Sequence, residues 1–146
     1  MARVRSILFG GAGGASPGAD AGLLLLRGFA GVALALAHGL GKLPPRPGFV
    51  AGVEEMGFPL PVLFAWLAGL AEFGGGLLIA IGLLTRPAAL FVLFTMLVAA
   101  VIRGAGDPFT DVEKALLFGA IALFLLFAGA GRYSLDAVIR GRGKAR

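Results

Sequence analysis

Four long apolar stretches, separated by short polar links, set the pattern of this 146-residue chain. They cover residues 21–40, 61–84, 87–102 and 115–130. Each is close to the roughly 20 residues that a helix needs to cross the hydrocarbon core of a bilayer. The pattern therefore predicts an all-α fold, an integral membrane four-helix bundle.

Two shorter amphipathic segments lie outside the four stretches. Apolar residues recur at helical spacing through the link after the first stretch, at Phe49, Val50, Val53 and Met56. They predict a short helix in the outer interface of the membrane. Near the end of the chain, Ser134 is suited to cap a second short helix whose apolar side holds Leu135, Val138 and Ile139.

The chain is accordingly divided into three parts. A glycine-rich segment over residues 1–20 is expected to be a flexible cytoplasmic tail. Residues 21–133 form the membrane domain, and residues 134–146 form a basic cytoplasmic tail.

Composition supports membrane insertion and limits the chemistry. Hydrophobic residues make up 58% of the chain and charged residues 14%, which is unlike a soluble domain. Cysteine is absent and His38 is the one histidine, so a single copy cannot build an iron–sulfur cluster, a bis-histidine haem or a zinc site. We expect no metal site and no intrinsic cofactor, with electrons supplied by a partner protein or a bound organic molecule.

The net charge of +5 is concentrated at the two ends of the chain. The tail cations are Arg3, Arg5, Arg132, Arg140, Arg142, Lys144 and Arg146. Because they flank apolar stretches, they favour contact with anionic lipid headgroups over nucleic acid. The positive-inside rule then places both termini, and the turn that holds Arg86, in the cytoplasm.

Ionisable residues also occur within the first two stretches. Glu72 lies near the middle of the second, where a charge costs about 2.5–3.5 kcal/mol and normally faces the protein interior. On the first stretch, Arg27 and His38 are eleven residues apart and Lys42 follows four residues later. In a regular α-helix these three residues share one face, here called the polar stripe.

Small residues predict that the first two helices approach closely. They are Gly31, Ala35 and Gly39 on the first helix, and Ala65, Ala68, Gly69 and Gly76 around Glu72 on the second. Glu72 is expected to face the polar stripe. The third and fourth helices carry no interior charge and are expected to serve mainly in packing.

Two interpretations of the buried charges remain open. Glu72 and Arg27 could form a structural pair that fixes helix register. Alternatively, they could line a polar cavity in which a carboxyl and a cation or imidazole bind a quinone headgroup and pass protons. For His38, near the outer interface, a simple hydrogen bond is favoured over catalysis.

Several short motifs have a familiar order and spacing. They are Arg27, residues 38–43 (HGLGKL), 57–59 (GFP), 72–75 (EFGG), 82–88 (GLLTRPA), 113–117 (EKALL) and 129–136 (GAGRYSLD). Together, over about residues 23–136, they resemble the DoxX family of four-helix bacterial membrane proteins. The resemblance implies a protein of the bacterial cytoplasmic (inner) membrane. It also implies that Arg27, Lys42, Glu72, Arg86 and Asp136 form a polar core and a cytoplasmic cluster.

The resemblance also implies a link to redox metabolism. Members of this family include a subunit of thiosulfate:quinone oxidoreductase and a membrane partner of superoxide dismutase and a sulfurtransferase. We therefore expect a membrane subunit of a quinone-linked oxidoreductase system that works with a redox partner protein. Glu72 and Arg27 are the catalytic candidates, and Arg27, His38, Lys42 and Glu72 are the candidates for binding a quinone or menaquinone.

Two other functions remain open. The chain could be a non-enzymatic scaffold or assembly factor that recruits soluble proteins through its basic C-terminal helix. A small transporter is less favoured, because four short helices with one mid-membrane acid leave little room for a pathway unless copies form a homo-oligomer. Whether the chain is itself an enzyme is left open.

Overall fold

The computed structural model describes residues 16–142, and within that range the chain forms six α-helices and no strand. The helices are α1 (Pro17–Ala33), α2 (Pro47–Glu55), α3 (Pro61–Ile81), α4 (Thr85–Leu97), α5 (Phe109–Ala128) and α6 (Leu135–Arg142). Both predicted short helices, α2 and α6, are therefore present.

Two of the long helices change their hydrogen-bond pattern before they end. Helix α1 continues as a π-helical segment, Leu34–Gly39, and a 3₁₀ turn, Leu40–Lys42. Helix α4 continues as a π-helical segment, Val98–Arg103. A π-helical turn holds more residues than an α-helical turn, so side chains beyond it point in other directions than a regular helix predicts. From here α1 and α4 include these continuations.

The first helix begins earlier than the sequence pattern predicted. The Ser16 hydroxyl accepts a hydrogen bond from the Ala19 amide at 3.1 Å, and Pro17 occupies the first turn. This arrangement is typical of a helix start. Part of the predicted tail, residues 17–20, is therefore helical, while residues 1–15 lie outside the described residues.

In the described part of the chain, three helices are long and apolar enough to cross a membrane. They are Pro17–Lys42, Pro61–Ile81 and Thr85–Arg103. Helix α5 has 20 residues, but Asp111, Glu113 and Lys114 stand in its first two turns and shorten its apolar part. Three of the four predicted spans thus have helices that could serve as membrane spans, and a fourth crossing and the orientation of the termini stay predictions.

Helices α1 and α3 pack backbone to backbone. A Cβ atom on Gly76 would lie 2.7 Å from the Gly31 carbonyl oxygen and 3.0 Å from the Ala35 amide nitrogen. A Cβ atom on Gly39 would overlap the backbone of Phe73. The predicted close approach of the first two spans is confirmed, because no larger residue fits at these glycines.

The apolar core lies between α1, α3, α4 and α5. Its buried side chains include Leu34, Ile79, Ala89, Val92, Ala122 and Leu125. Helix α3 contacts both α1 and α4, and α4 contacts α5. The four long helices therefore lie side by side in the order α1, α3, α4, α5.

The packed helices have two ends that carry different polar groups. Arg27 bonds to Ala80, whereas Lys42 bonds to Glu72, so α1 and α3 run in opposite directions. The end at which α1 and α4 begin is called the tail end, because α6 lies there. The end at which α1 and α4 finish is called the link end, because α2 lies there.

Candidate ligand cavity around Glu72

Glu72 is the buried carboxylate of α3, with only 1% of its surface exposed. Its Oε1 atom accepts a hydrogen bond from the Lys42 ammonium at 2.5 Å. Lys42 is 31% exposed and its Nζ atom also lies 5.4 Å from the centre of the Phe49 ring. The structure thus pairs Glu72 with Lys42, one of the three residues of the predicted polar stripe.

The second carboxylate oxygen of Glu72 has no such partner. Oε2 is buried and accepts no hydrogen bond from any described residue. A buried charged oxygen left unpaired is costly, because it has lost its hydration without gaining a donor. It is therefore a point at which a donor from a bound molecule would be stabilised.

A large cavity of about 850 Å³ opens beside this carboxylate. Its walls include Lys42 of α1, Phe49 and Glu55 of α2, Glu72 of α3, and Thr95 and Arg103 of α4. The volume is in the range of ligand-binding pockets. The third span was expected to serve mainly in packing, and its π-helical end also forms one wall of this cavity.

A smaller cavity of about 210 Å³ reaches the same pair from another side. Lys42 and Glu72 line it together with His38, Asp111, Lys114 and Phe118. The His38 ring packs edge-on against Phe118, with 5.5 Å between ring centres. His38 is therefore near Glu72, but it belongs to the smaller cavity only.

Arg27 does not join this site. Its guanidinium donates to the carbonyl oxygens of Ile79 at 3.2 Å and Ala80 at 2.6 Å, and to that of Tyr133. Ile79 lies seven residues beyond Glu72, about 10 Å along the helix axis. The predicted Arg27–Glu72 pair is thus replaced by the Lys42–Glu72 pair.

The predicted polar stripe is divided between the two ends of α1, which includes a π-helical segment. The stripe assumed a regular α-helix from Arg27 to Lys42. At the end of the segment, the Leu40 amide donates to the Ala35 carbonyl, five residues back. Arg27 and Lys42 both bond to α3, but they lie fifteen residues apart, about 20 Å along the axis of α1, so Arg27 reaches the end of α3 while Lys42 reaches Glu72.

A second polar cluster closes the tail end. The Asp136 carboxylate accepts from the amides of Leu84 at 2.8 Å and Thr85 at 3.0 Å, and so caps the start of α4. The Asp20 carboxylate accepts from the Arg132 amide at 3.1 Å. The Arg86 guanidinium donates to the Phe127 carbonyl at 2.9 Å. Arg86 and Asp136, two of the five polar residues that the resemblance singled out, therefore both lie at this end.

Sequence reasoning missed several of these residues. Asp20 was assigned to the flexible tail, although the Ser-Pro pair before it is a recognisable helix start. Phe49 was treated only as part of an interfacial helix. Thr95 and Arg103 carried no signal, because their place on the cavity wall depends on how α4 packs. Among the described residues, no three His, Cys, Asp or Glu side chains are grouped so that they could hold a metal ion.

Comparison with known proteins shows which family the chain belongs to. Residues 22–104, more than half of its length, match the DoxX sequence profile. The chain belongs to the DoxX family. The match begins within α1 and includes the whole of α2, α3 and α4, and thus the walls of the larger cavity.

Curated relatives of this DoxX protein extend the likeness beyond α4. The inner membrane protein YqjF of Escherichia coli is 34% identical over 130 residues, which cover 82% of this chain and 93% of that protein. The inner membrane protein YphA of the same organism is 30% identical, over 78% of this chain and 88% of that protein. An uncharacterized membrane protein of Mycobacterium tuberculosis, Rv3486, is 37% identical over 63% of this chain and 65% of its own length.

These comparisons show a membrane protein of the DoxX family and leave its reaction open. The names of the three relatives state a membrane location and no substrate. No solved structure matches the chain.

Proposed function

We propose that this DoxX protein binds the headgroup of a quinone or menaquinone in the larger cavity, as the membrane subunit of an oxidoreductase system. The observation that carries the proposal is the Oε2 atom of Glu72, a buried carboxylate oxygen without a donor beside a cavity of about 850 Å³. The Lys42 ammonium lies on the same wall.

The Lys42–Glu72 pair suits both forms of such a ligand. An ammonium group can only donate hydrogen bonds, and an ionised carboxylate can only accept them. The carbonyl oxygen of a quinone would accept from an N–H of Lys42, whereas the hydroxyl of the reduced form would donate to Oε2 of Glu72. One ion pair therefore offers a partner to either oxidation state.

The size and lining of the cavity also support this ligand class. Phe49 and Met56 supply apolar surface beside the charged pair. A flat ring with an apolar tail needs this combination of a polar end and an apolar wall. In this proposal Glu72 takes up the proton of the reduced headgroup, Lys42 orients the ring, and a separate redox protein of the system exchanges the electrons.

Arg27 has a different part in this proposal from the one the sequence indicated. Its guanidinium is bonded to three backbone carbonyls at the tail end and does not line the larger cavity. We assign it to holding α1 against α3 and the segment before α6. Glu72 and Lys42 are then the central residues of the site.

We also propose that α5 crosses the membrane as a fourth span, with both termini in the cytoplasm of a bacterial cell. Helix α5 packs along α4, and the segment after it returns to the tail end, where the Arg132 amide binds Asp20. The inner membrane location in the names of two relatives supports this placement. The basic residues of the tail end support the orientation.

A binding measurement tests the proposed site. We expect Glu72→Gln to weaken binding of a short-chain menaquinol analogue by about 10- to 100-fold, because a hydrogen bond to a charged group is worth about 1.5–3 kcal/mol. The measurement is a titration of the purified protein in nanodiscs, with the analogue kept reduced.

Glu113→Gln is the matched control for this measurement. Glu113 is exposed on α5, and neither cavity includes it in its walls. Its replacement should leave the affinity unchanged. Equal affinities for Glu72→Gln and the unmodified protein would contradict the site and favour the scaffold alternative.

A further inference from the structure

The carboxylate of Glu72 stands between two cavities that differ in volume and lining. The larger cavity reaches it between α2 and α4, and the smaller one reaches it between α1 and α5. Glu72 itself is 1% exposed, with Oε2 unpaired. A proton on this carboxyl therefore has two possible routes away from it.

Titratable side chains mark the smaller cavity along its length. His38 lies on the α1 side, and Asp111 and Lys114 lie on the first two turns of α5, where both are exposed. The groups facing Glu72 from the larger cavity are Glu55 and Arg103, and Lys42 lines both cavities.

We propose that the smaller cavity is a proton pathway that connects Glu72 with the link end of the protein, separate from the ligand cavity. The inference rests on the proposed function, which supplies the reason for a proton to leave Glu72. A headgroup seated in the larger cavity would cover that side of Glu72, so a released proton needs the other side.

The volume and the chemistry of the cavity fit this role. At about 30 Å³ of liquid volume per molecule, 210 Å³ has room for several water molecules. A proton leaves the carboxyl of Glu72, which returns to a carboxylate, and reaches one ring nitrogen of His38 through water. The other ring nitrogen releases a proton to water near Asp111, so His38 ends uncharged and no electron is moved.

Two substitutions test the pathway by filling one cavity each. Ala115 lines the smaller cavity only, and Ala51 lines the larger cavity only. Ala115→Leu adds three carbon atoms to the proposed pathway, whereas Ala51→Leu adds the same atoms to the ligand cavity. His38→Phe removes the proposed relay group, and Asp111→Asn changes an exposed residue without disturbing the core.

The measured quantity is the rate at which the carboxyl of Glu72 exchanges its proton after a jump in pH. Infrared spectroscopy of the protein in nanodiscs follows the carboxyl band, which is assigned by its absence in Glu72→Gln. We expect His38→Phe and Ala115→Leu to slow the exchange by about 100-fold, the lower end of what a positioned proton-transfer group contributes. Asp111→Asn should slow it less, and Ala51→Leu should leave it unchanged.

Exchange that is slowed by Ala51→Leu and not by Ala115→Leu would overturn the proposal, because the proton would then use the larger cavity. Equal rates in all variants would overturn it too. Should Ala115→Leu not fold, Asp111→Asn and His38→Phe still decide the question. The measurement needs no quinone, so a failure of analogue binding and a failure of the pathway are separate results.

Discussion

The two oxygens of the Glu72 carboxylate have different surroundings, although both are buried. Oε1 is bonded to the Lys42 ammonium, while Oε2 has no donor among residues 16–142. The pair thus leaves one of the two carboxylate oxygens without a hydrogen-bond donor in the described part of the chain. An unpaired acceptor of this kind is a cost to stability, and such costs are concentrated at functional sites.

Replacing the cation of the pair should destabilise the protein. We expect Lys42→Met to lower the free energy of unfolding by about 3 kcal/mol, because it leaves a buried carboxylate without its counter-charge. Unfolding by denaturant in detergent measures the change.

Lys114→Met is the control for this measurement of the free energy of unfolding, since Lys114 is exposed on α5. The double variant Lys42→Met with Glu72→Gln should regain most of the stability, because no charge is then left unpaired. A loss no greater for Lys42→Met than for Lys114→Met would refute the role of the ion pair.

At the scale of helices, the interface between α1 and α3 depends on glycine. The backbone of Phe73 occupies the space in which a side chain on Gly39 would stand, and Gly76 meets the backbone of α1 in the same manner. This close contact brings the link end of α1, with Lys42, against Glu72. The glycines therefore position the ion pair as well as the helices.

Adding one methyl group tests this interface. We expect Gly39→Ala to lower stability by about 2 kcal/mol, in the range of overpacking costs, and to weaken analogue binding by moving Lys42. Gly28→Ala is the control on the same helix, because a Cβ atom there meets nothing within 4 Å. The control should be neutral or stabilising, and thermal unfolding of both variants gives the comparison.

The helices could be predicted from the sequence, but the π-helical segments could not. Apolar stretches of about 20 residues and capping residues such as Ser134 are local signals, and they located α1, α3, α4 and α6 to within a few residues. A shift from i−4 to i−5 bonding, as at Leu40, depends on tertiary packing. The sequence placed Arg27, His38 and Lys42 on one helix face, whereas in the structure each has a different partner: the end of α3, Phe118 of α5 and Glu72.

At the scale of the whole molecule, the crossing of α5 can be tested directly because the chain contains no cysteine. Ala105→Cys lies in the link between α4 and α5, and Gly141→Cys lies on α6. We expect a membrane-impermeant maleimide to label Ala105→Cys in intact cells and Gly141→Cys only after the membrane is opened. Labelling of both in intact cells would mean that α5 does not cross.

Only part of the site could be predicted from the sequence, because the rest also depends on tertiary packing. Glu72 and Lys42 were found from the cost of placing charge within an apolar stretch. The cavity beside them requires α2 and the end of α4, which lie about 20 to 30 residues away along the chain in either direction. No local sequence pattern predicts that these segments come together, so the walls of the cavity could be identified only from the folded structure.

The cap that Asp136 places on α4 has a consequence for biosynthesis. The amides of Leu84 and Thr85 receive their acceptor from a residue that the ribosome adds about 50 positions later. While the chain is being made, the turn between α3 and α4 must wait for α5 to be synthesised and for the segment after it to return to the tail end. The first turn of α4 is thus capped only after the residues of α6 have been made.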